Sequence, residues 1–302
     1  MRITNEMLAN NVLQNLSANE SRIYTLTNQM SSGKSLSQMS DNPADASRVL
    51  AVQTNLSQTG QYLSNVSSAQ DWLTTTGSAL QGVNQALLSA QQLATQGANA
   101  TTNANDRQVM ATQVNSLIGE VAQLGNTTYA GSYVFAGAQT NVAPFSSSGS
   151  TVSYANSDPA SATASLGREI SPGIKVQVNT IGHDPTTNSG IFDTVFAALT
   201  GLSQALQANN SGAISSTITT LGNALQQLNQ ASASVGTSTD QIQAIQNQLT
   251  AQQTQLSQTL SNLDNTDMAQ ASIDYTQATV VQQAGLVATS KALPPSLFDY
   301  IA

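Results

Sequence analysis

Residues 214–263 read ISSTITTLGNALQQLNQASASVGTSTDQIQAIQNQLTAQQTQLSQTLSNL, and this stretch decides the fold. Its apolar side chains stand at Ile214, Ile218, Leu221, Leu225, Leu228, Val235, Ile242, Ile245, Leu249, Leu256, Leu260 and Leu263, in steps of three, four and seven. That spacing lays one apolar stripe along a helix that buries it against a partner. If the run is one helix of about 50 residues, it is about 75 Å long at 1.5 Å per residue. Such a rod is not a compact enzyme.

The same pattern continues outward on both sides. Leu13, Leu16, Ile23, Leu26 and Met30 form a first set, Val66, Leu73, Leu80 and Leu87 repeat every seven residues, and Met110, Val114, Leu117, Val121 and Leu124 alternate steps of four and three. These are heptad-like seams. Local chemistry marks their ends. Gly33 is a left-handed stop for the first helix, and Asn42-Pro43-Ala44-Asp45 supplies a cap, a first-turn proline and a carboxylate. Asn103 with Asp106 repeats the cap, Gly125 closes that helix, Asp264-Asn265-Thr266-Asp267 is a stop and start, and Pro294-Pro295 ends the last helix. The terminal helices are therefore expected at about 4–32 and 267–293, paired so that the domains are discontinuous.

Between the helical limbs the composition changes: of 34 glutamines, only Gln139 and Gln177 fall in residues 124–203. Here Tyr133 with Phe135, Val152 with Tyr154, and Ile174, Val176 and Val178 alternate with polar neighbours, as strands do. The expected architecture is mainly α with a small β-rich insert at 131–189, with surface loops at Ser146–Ser150 and His183–Ser189. The terminal pair comprises residues 1–40 with 264–302, and the helical rod comprises 41–130 with 190–263.

Only 8% of the 302 residues are charged, against about 25% in ordinary domains. Net charge is −8 and the pI is about 4.3, so there is no basic footprint for nucleic acid. The chain has no cysteine, which removes disulfides, thiolate metal sites and cysteine nucleophiles. Its one imidazole, His183, lies in a turn-like stretch and is expected in a solvated loop. Asp264 and Asp267, three apart, are explained by helix capping rather than glycoside chemistry. No catalytic, cofactor-binding or metal-binding set is expected. No stretch approaches 18 apolar residues, so no membrane insertion is expected. The amino terminus lacks an apolar signal core, so any export is expected to proceed without a cleaved secretory signal. Gln and Asn on the polar faces fit either subunits stacked without charge desolvation or a simple amide-rich coiled coil.

Specific residues separate these readings. Arg2-Ile3-Thr4, Ser31-Ser32-Gly33-Lys34 and Ser40-Asp41-Asn42-Pro43-Ala44-Asp45-Ala46 look like the amino-terminal pattern of the flagellin family. Ser234-Val235-Gly236, Asp267-Met268-Ala269 and Gln283-Ala284-Gly285-Leu286 are similar to its carboxyl-terminal region. Gly131-Ser132-Tyr133-Val134-Phe135-Ala136-Gly137, with Thr140, Pro144-Phe145 and Gly190-Ile191-Phe192-Asp193, resembles the family's junction branch rather than filament flagellin, as does Ser296-Leu297-Phe298-Asp299-Tyr300. The resemblance covers about two thirds of the chain, and its strength lies in motif order. Two departures stand out. Asn42 replaces a frequent second aspartate, and the arginine usual after Val-Gly is absent from residues 237–242.

The resemblance implies a flagellin-like discontinuous helical rod and a structural, non-enzymatic subunit between hook and filament in the extracellular flagellum. The implied partners are a hook-side hook-associated protein, flagellin, other copies of the chain in a ring, and a flagellar export chaperone on the carboxyl-terminal helix. Export as an unfolded chain through the flagellar channel is implied as well. Leu13, Leu16, Ile23, Leu26, Ile273, Val280 and Val287 are the expected assembly surface, and Gly33, Asn42, Pro43 and Asp45 the expected turn and cap. Filament flagellin and an unrelated amide-rich scaffold are the competing readings.

Overall fold

The computed structural model describes residues 5–36, 38, 40, 42–155 and 158–292. Arg2-Ile3-Thr4, Asp41, Pro294-Pro295 and Ser296–Tyr300, all used above, lie outside them. The order is α1 (Asn5–Ser32), α2 (Pro43–Ala98), α3 (Ala104–Gly125), β1 (Thr128–Tyr129), β2 (Ser132–Tyr133), β3 (Phe145–Ser148), β4 (Thr151–Tyr154), α4 (Pro159–Ala162), β5 (Gly167–Ser171), β6 (Ile174–Gln177), α5 (Ile191–Gln207), α6 (Ser211–Asp264) and α7 (Met268–Ala292). The long periodic run is indeed one helix, α6, and the fold is mainly α with a β-rich insert. Packing divides the chain into a unit drawn from residues 1–59 and 252–302 and a unit of residues 60–251.

In the unit of residues 60–251, Val66, Leu73, Leu80 and Leu87 are all but fully buried, as are Leu221, Leu228, Ile242 and Leu249 at the same heptad spacing on α6. The α2 and α6 seams are antiparallel. Gln70 Nε2 donates to Gln243 Oε1 at 3.3 Å and Asn84 Nδ2 to Asn229 Oδ1 at 3.1 Å, fourteen residues apart on both helices. Two uncharged amide pairs therefore mark the register. Against α3, the strongly apolar α5 buries Phe192, Leu199, Leu202 and Leu206. Arg107, buried, ties this end together by donating from Nε to Gly97 O at 2.8 Å and from Nη2 to Asn99 O at 3.1 Å.

Among the described residues, three two-stranded antiparallel sheets lie between Thr128 and Gln177. In the first, Ala130 and Gly131 both have positive φ, 48° and 80°, between paired Tyr129 and Ser132, the geometry of a two-residue hairpin. The second sheet corrects an expectation. Ser146–Ser150, expected as a loop, is most of strand β3 plus its turn, held in register from Phe145 opposite Tyr154 to Ser148 opposite Thr151. Serine has little strand propensity, so the aromatic pair at the base and the Ser146–Ser153 hydroxyl contact at 2.8 Å set the pairing. Gly125 also has another role than helix stop. Asn126 caps α3, with φ −95° and its N–H bonded to Ala122 O and Gln123 O, both at 3.1 Å. A Cβ on Gly125 would stand 2.6 Å from Phe145 Cδ2, so glycine there admits an aromatic ring.

His183 is the largest departure from the sequence reading. It is buried, its ring stacks on Tyr154 at 3.9 Å and 6°, and Nδ1 lies 2.5 Å from Asp193 Oδ1. The cause is Asp193 in the first turn of α5, whose Oδ2 accepts from the Gly190 and Asp184 N–H groups, each at 2.9 Å. That carboxylate folds residues 183–190 back over the hairpin, and the imidazole becomes a wall of the insert's aromatic core.

Candidate assembly surface

The chemistry-bearing feature of the unit drawn from 1–59 and 252–302 is a surface. Its first element is well punctuated. Gly33 adopts φ +72° and its N–H bonds Gln29 O at 2.8 Å where α1 closes. Asn42 Oδ1 accepts from Asp45 N at 3.3 Å just before Pro43 opens α2. The turns after α1 and before α7 are stitched together. Ser35 N donates to Asp264 O at 2.6 Å, Thr266 N to Gly33 O at 3.0 Å, and Ser35 Oγ to Leu263 O at 3.1 Å. Lys34 Nζ sits 3.0 Å from the buried Asp264 carboxylate. Asp264 ends α6 and forms this ion pair rather than a helix cap, while Asp267 Oδ1 caps α7 through Ala269 N at 3.0 Å and Gln270 N at 3.1 Å.

Helices α1 and α7 are antiparallel neighbours. On α1, Val12, Leu16, Asn19, Ile23, Leu26 and Met30 are half-buried or buried and step by four and three, with Asn28 and Gln29 half-buried beside them near the end of the helix. Of the expected assembly residues, Leu16 and Ile23 lie half-buried on this seam and Leu26 is buried, whereas Leu13 lies off it and is 61% exposed. Sequence reasoning missed Val12, which Leu13 displaced, and Asn19, which a search for apolar periodicity passes over. On α7 the seam runs through Ala271, Tyr275, Ala278, Gln282, Gly285 and Thr289, of which Ala271 and Ala278 are buried and the others half-buried.

The large apolar residues of α7 point elsewhere. Ile273, Val280 and Val287 are 61%, 58% and 55% exposed, joined by exposed Val281 and Leu286. Ile273 follows Ala271 by two residues, as Val280 follows Ala278, a rotation of about 200° about the helix axis. Thus Ile273, Val280 and Val287 lie on the side of α7 away from α1 and are turned to solvent. Among the described residues, ten of the fourteen exposed large apolar side chains belong to this unit. An apolar groove of about 380 Å³ between α1 and α7, lined by Val12, Leu16, Val281 and Gly285 among others, adjoins the stripe. Contiguous exposed apolar surface of this kind marks sites of association. Among the described residues, no helix is long and apolar enough to cross a membrane.

Long paired helices, a discontinuous helical frame and a small β insert define a class of helical assembly subunit, and comparison with known proteins identifies the family. The model of the bacterial flagellin N-terminal helical region matches residues 3–140, and that of the C-terminal helical region matches residues 218–301. The chain belongs to the bacterial flagellin family. It is 30% identical to flagellar hook-associated protein 3 of Escherichia coli (strain K12) over 147 residues, covering 48% of this chain and 46% of that protein. The Salmonella typhimurium protein of the same name is 30% identical over 146 residues, with the same two coverages. The chain thus spans about half the length of the curated relatives it matches. The crystal structure of Bacillus cereus FlgL shares the fold, with a TM-score of 0.59 at 22% identity over 70% of this chain and 99% of that one. These relatives are structural flagellar proteins, not enzymes.

Proposed function

We propose that the chain is a structural subunit of the bacterial flagellum at the junction between hook and filament. On this reading it leaves the cell through the flagellar export channel and assembles through its terminal helices with other copies of itself, a hook-side hook-associated protein and flagellin. An export chaperone holds the carboxyl-terminal helix before secretion, and residues 131–189 face outward. The observation that carries the reading is the exposed stripe of Ile273, Val280 and Val287, apolar surface that a monomer leaves uncovered. Similarity to hook-associated protein 3 supports the junction over the filament.

Deleting the gene tests it. Hooks without filaments, together with monomeric flagellin shed into the medium, are the expected result, and normal filaments would refute it. The purified chain is expected not to polymerise into long filaments; if it does, it is a filament subunit. Removing residues 264–302 is expected to abolish chaperone binding and filament attachment.

A further inference from the structure

Within the unit of residues 60–251, α2 and α6 change character at one level. Their amide pairs fix the register and set Gly77 of α2 opposite Gly236 of α6. Around Gly77, the hydroxyls of Thr74, Thr75, Thr76 and Ser78 each donate to the carbonyl four residues back, at 2.9–3.0 Å. Around Gly236, those of Ser232, Thr237 and Thr239 do the same at 2.8–3.0 Å. Hydroxyls bonded back in this way weaken and bend helices, and threonine and glycine are poor helix formers. Close packing within the chain explains neither glycine: a Cβ on Gly236 meets nothing within 4 Å, and one on Gly77 meets Val235 Cγ1 at 3.8 Å.

Lateral support ends at the same level. Farther along α2, a Cβ on Gly97 would stand 2.6 Å from Leu206 Cδ2 on α5 and 3.7 Å from both Ile214 Cγ2 on α6 and Met110 Sδ on α3, so four helices pack there as one body. A second hydroxyl cluster, from Ser215 to Thr220, opens α6 inside that body, where its neighbours hold it straight. Helix α3 ends with Leu124 over Gly82, and α5 begins with Phe192 beside Gly125. Both supports therefore stop about one turn from Ser78. Past that point α2 and α6 continue as a two-helix arm, accompanied by hairpins of the insert. Tyr129 Oη donates to Asp71 Oδ2 at 3.2 Å, and Asn65 Nδ2 donates to Glu169 O on β5 at 2.8 Å.

We propose that Thr74–Ser78 and the facing Ser232–Thr239 form a flexible joint between the four-helix body and the two-helix arm, and that the β5–β6 hairpin braces it through Asn65. Weak helix formers and the loss of support coincide on both helices, so both bend at one place. On the function proposed above, such a joint lets copies of one subunit meet neighbours that are not equivalent; the joint itself does not rest on that reading.

Because the chain has no cysteine, pairs of spin labels read the motion in the full-length chain. Gln61→Cys on the arm and Gln81→Cys on the body, both exposed, are each paired with exposed Gln108→Cys on α3. The distance distribution of the Gln61–Gln108 pair is expected to be the wider. Thr74→Ala, Ser78→Ala, Gly236→Ala and Thr237→Ala together alter exposed positions only and favour helix by about fiftyfold. That variant is expected to narrow the arm distribution to the width of the Gln81–Gln108 control, whereas Asn65→Ala is expected to broaden it. Equal widths in the parent chain, or an arm width unmoved by the four replacements, would overturn the joint, as would broadening of the control pair, which places the motion in the body. An arm width unmoved by Asn65→Ala would overturn the brace. A stiffened variant that still joins hook to filament removes the proposed use and leaves the joint standing.

Discussion

Replacing Asp193 with alanine tests the account of the insert most directly. The carboxylate is buried and meets His183 Nδ1 at 2.5 Å on one oxygen and the N–H groups of Asp184 and Gly190, each at 2.9 Å, on the other, with the Tyr154 phenol beside it. Alanine leaves those two amides without that acceptor and the buried imidazole without its partner. A buried group deprived of its partner costs about 1–3 kcal/mol, and Asp184 is partly solvated, so the sum is about 3–5 kcal/mol. Asparagine keeps an acceptor for the two amides and presents an NH₂ to the ring nitrogen, so Asp193→Asn is expected to cost only about 1 kcal/mol. Urea unfolding followed through Trp72 reads both, since the chain has a single tryptophan, 3% exposed, in the same unit. An Asp193→Ala cost no larger than about 1 kcal/mol, the worth of an ordinary helix cap, would refute the reasoning and return residues 183–190 to a solvated loop.

Gly125→Ala drives a methyl into the Phe145 ring and is expected to destabilise by about 1–3 kcal/mol in the same assay. Ala130 occupies the left-handed region at φ 48°, which asparagine tolerates better, so Ala130→Asn is expected to stabilise by about 0.5–1 kcal/mol and raise the urea midpoint. Burial first, and then the charge and hydrogen bond of Asp193, push the Tyr154 phenol well above its usual range. A phenol raised by folding contributes its full stability below the unfolded value of about 10 and loses it as pH climbs beyond. Ultraviolet titration is therefore expected to show Tyr154 ionising late, and unfolding free energy to fall above about pH 10; a Tyr154→Phe variant should lose that late component and weaken the fall.

Much of this was legible in the residues because its causes are local. Gly33, Asn42-Pro43, Asn103 and Asp267 act within a turn of themselves, and each sits at the end or start of a helix. Heptad spacing likewise needs no partner to be seen, and α6 emerged whole from it. What stayed hidden depends on groups far along the chain. Nothing near His183 in sequence announces Tyr154, and only the fold brings the two rings face to face. Gly125 resembles a stop signal until Phe145 is placed beside it. On the candidate surface, Ile273, Val280 and Val287 were found by their spacing, but periodicity alone does not say that α1 lies on the opposite side. Asn19 was missed for a related reason: apolar spacing skips the polar seam position, which donates to Ala278 O and Gln282 Oε1.

The amide pairs between α2 and α6 carry a consequence for the medium in which such a protein can work. Gln70 with Gln243 and Asn84 with Asn229 are exposed contacts, where most proteins would place lysine and glutamate. Ion pairs there would weaken as salt screens them and vanish when acid neutralises the carboxylate. A carboxamide neither titrates in ordinary waters nor attracts a counterion cloud, so these two contacts hold alike in fresh water, brine or mild acid.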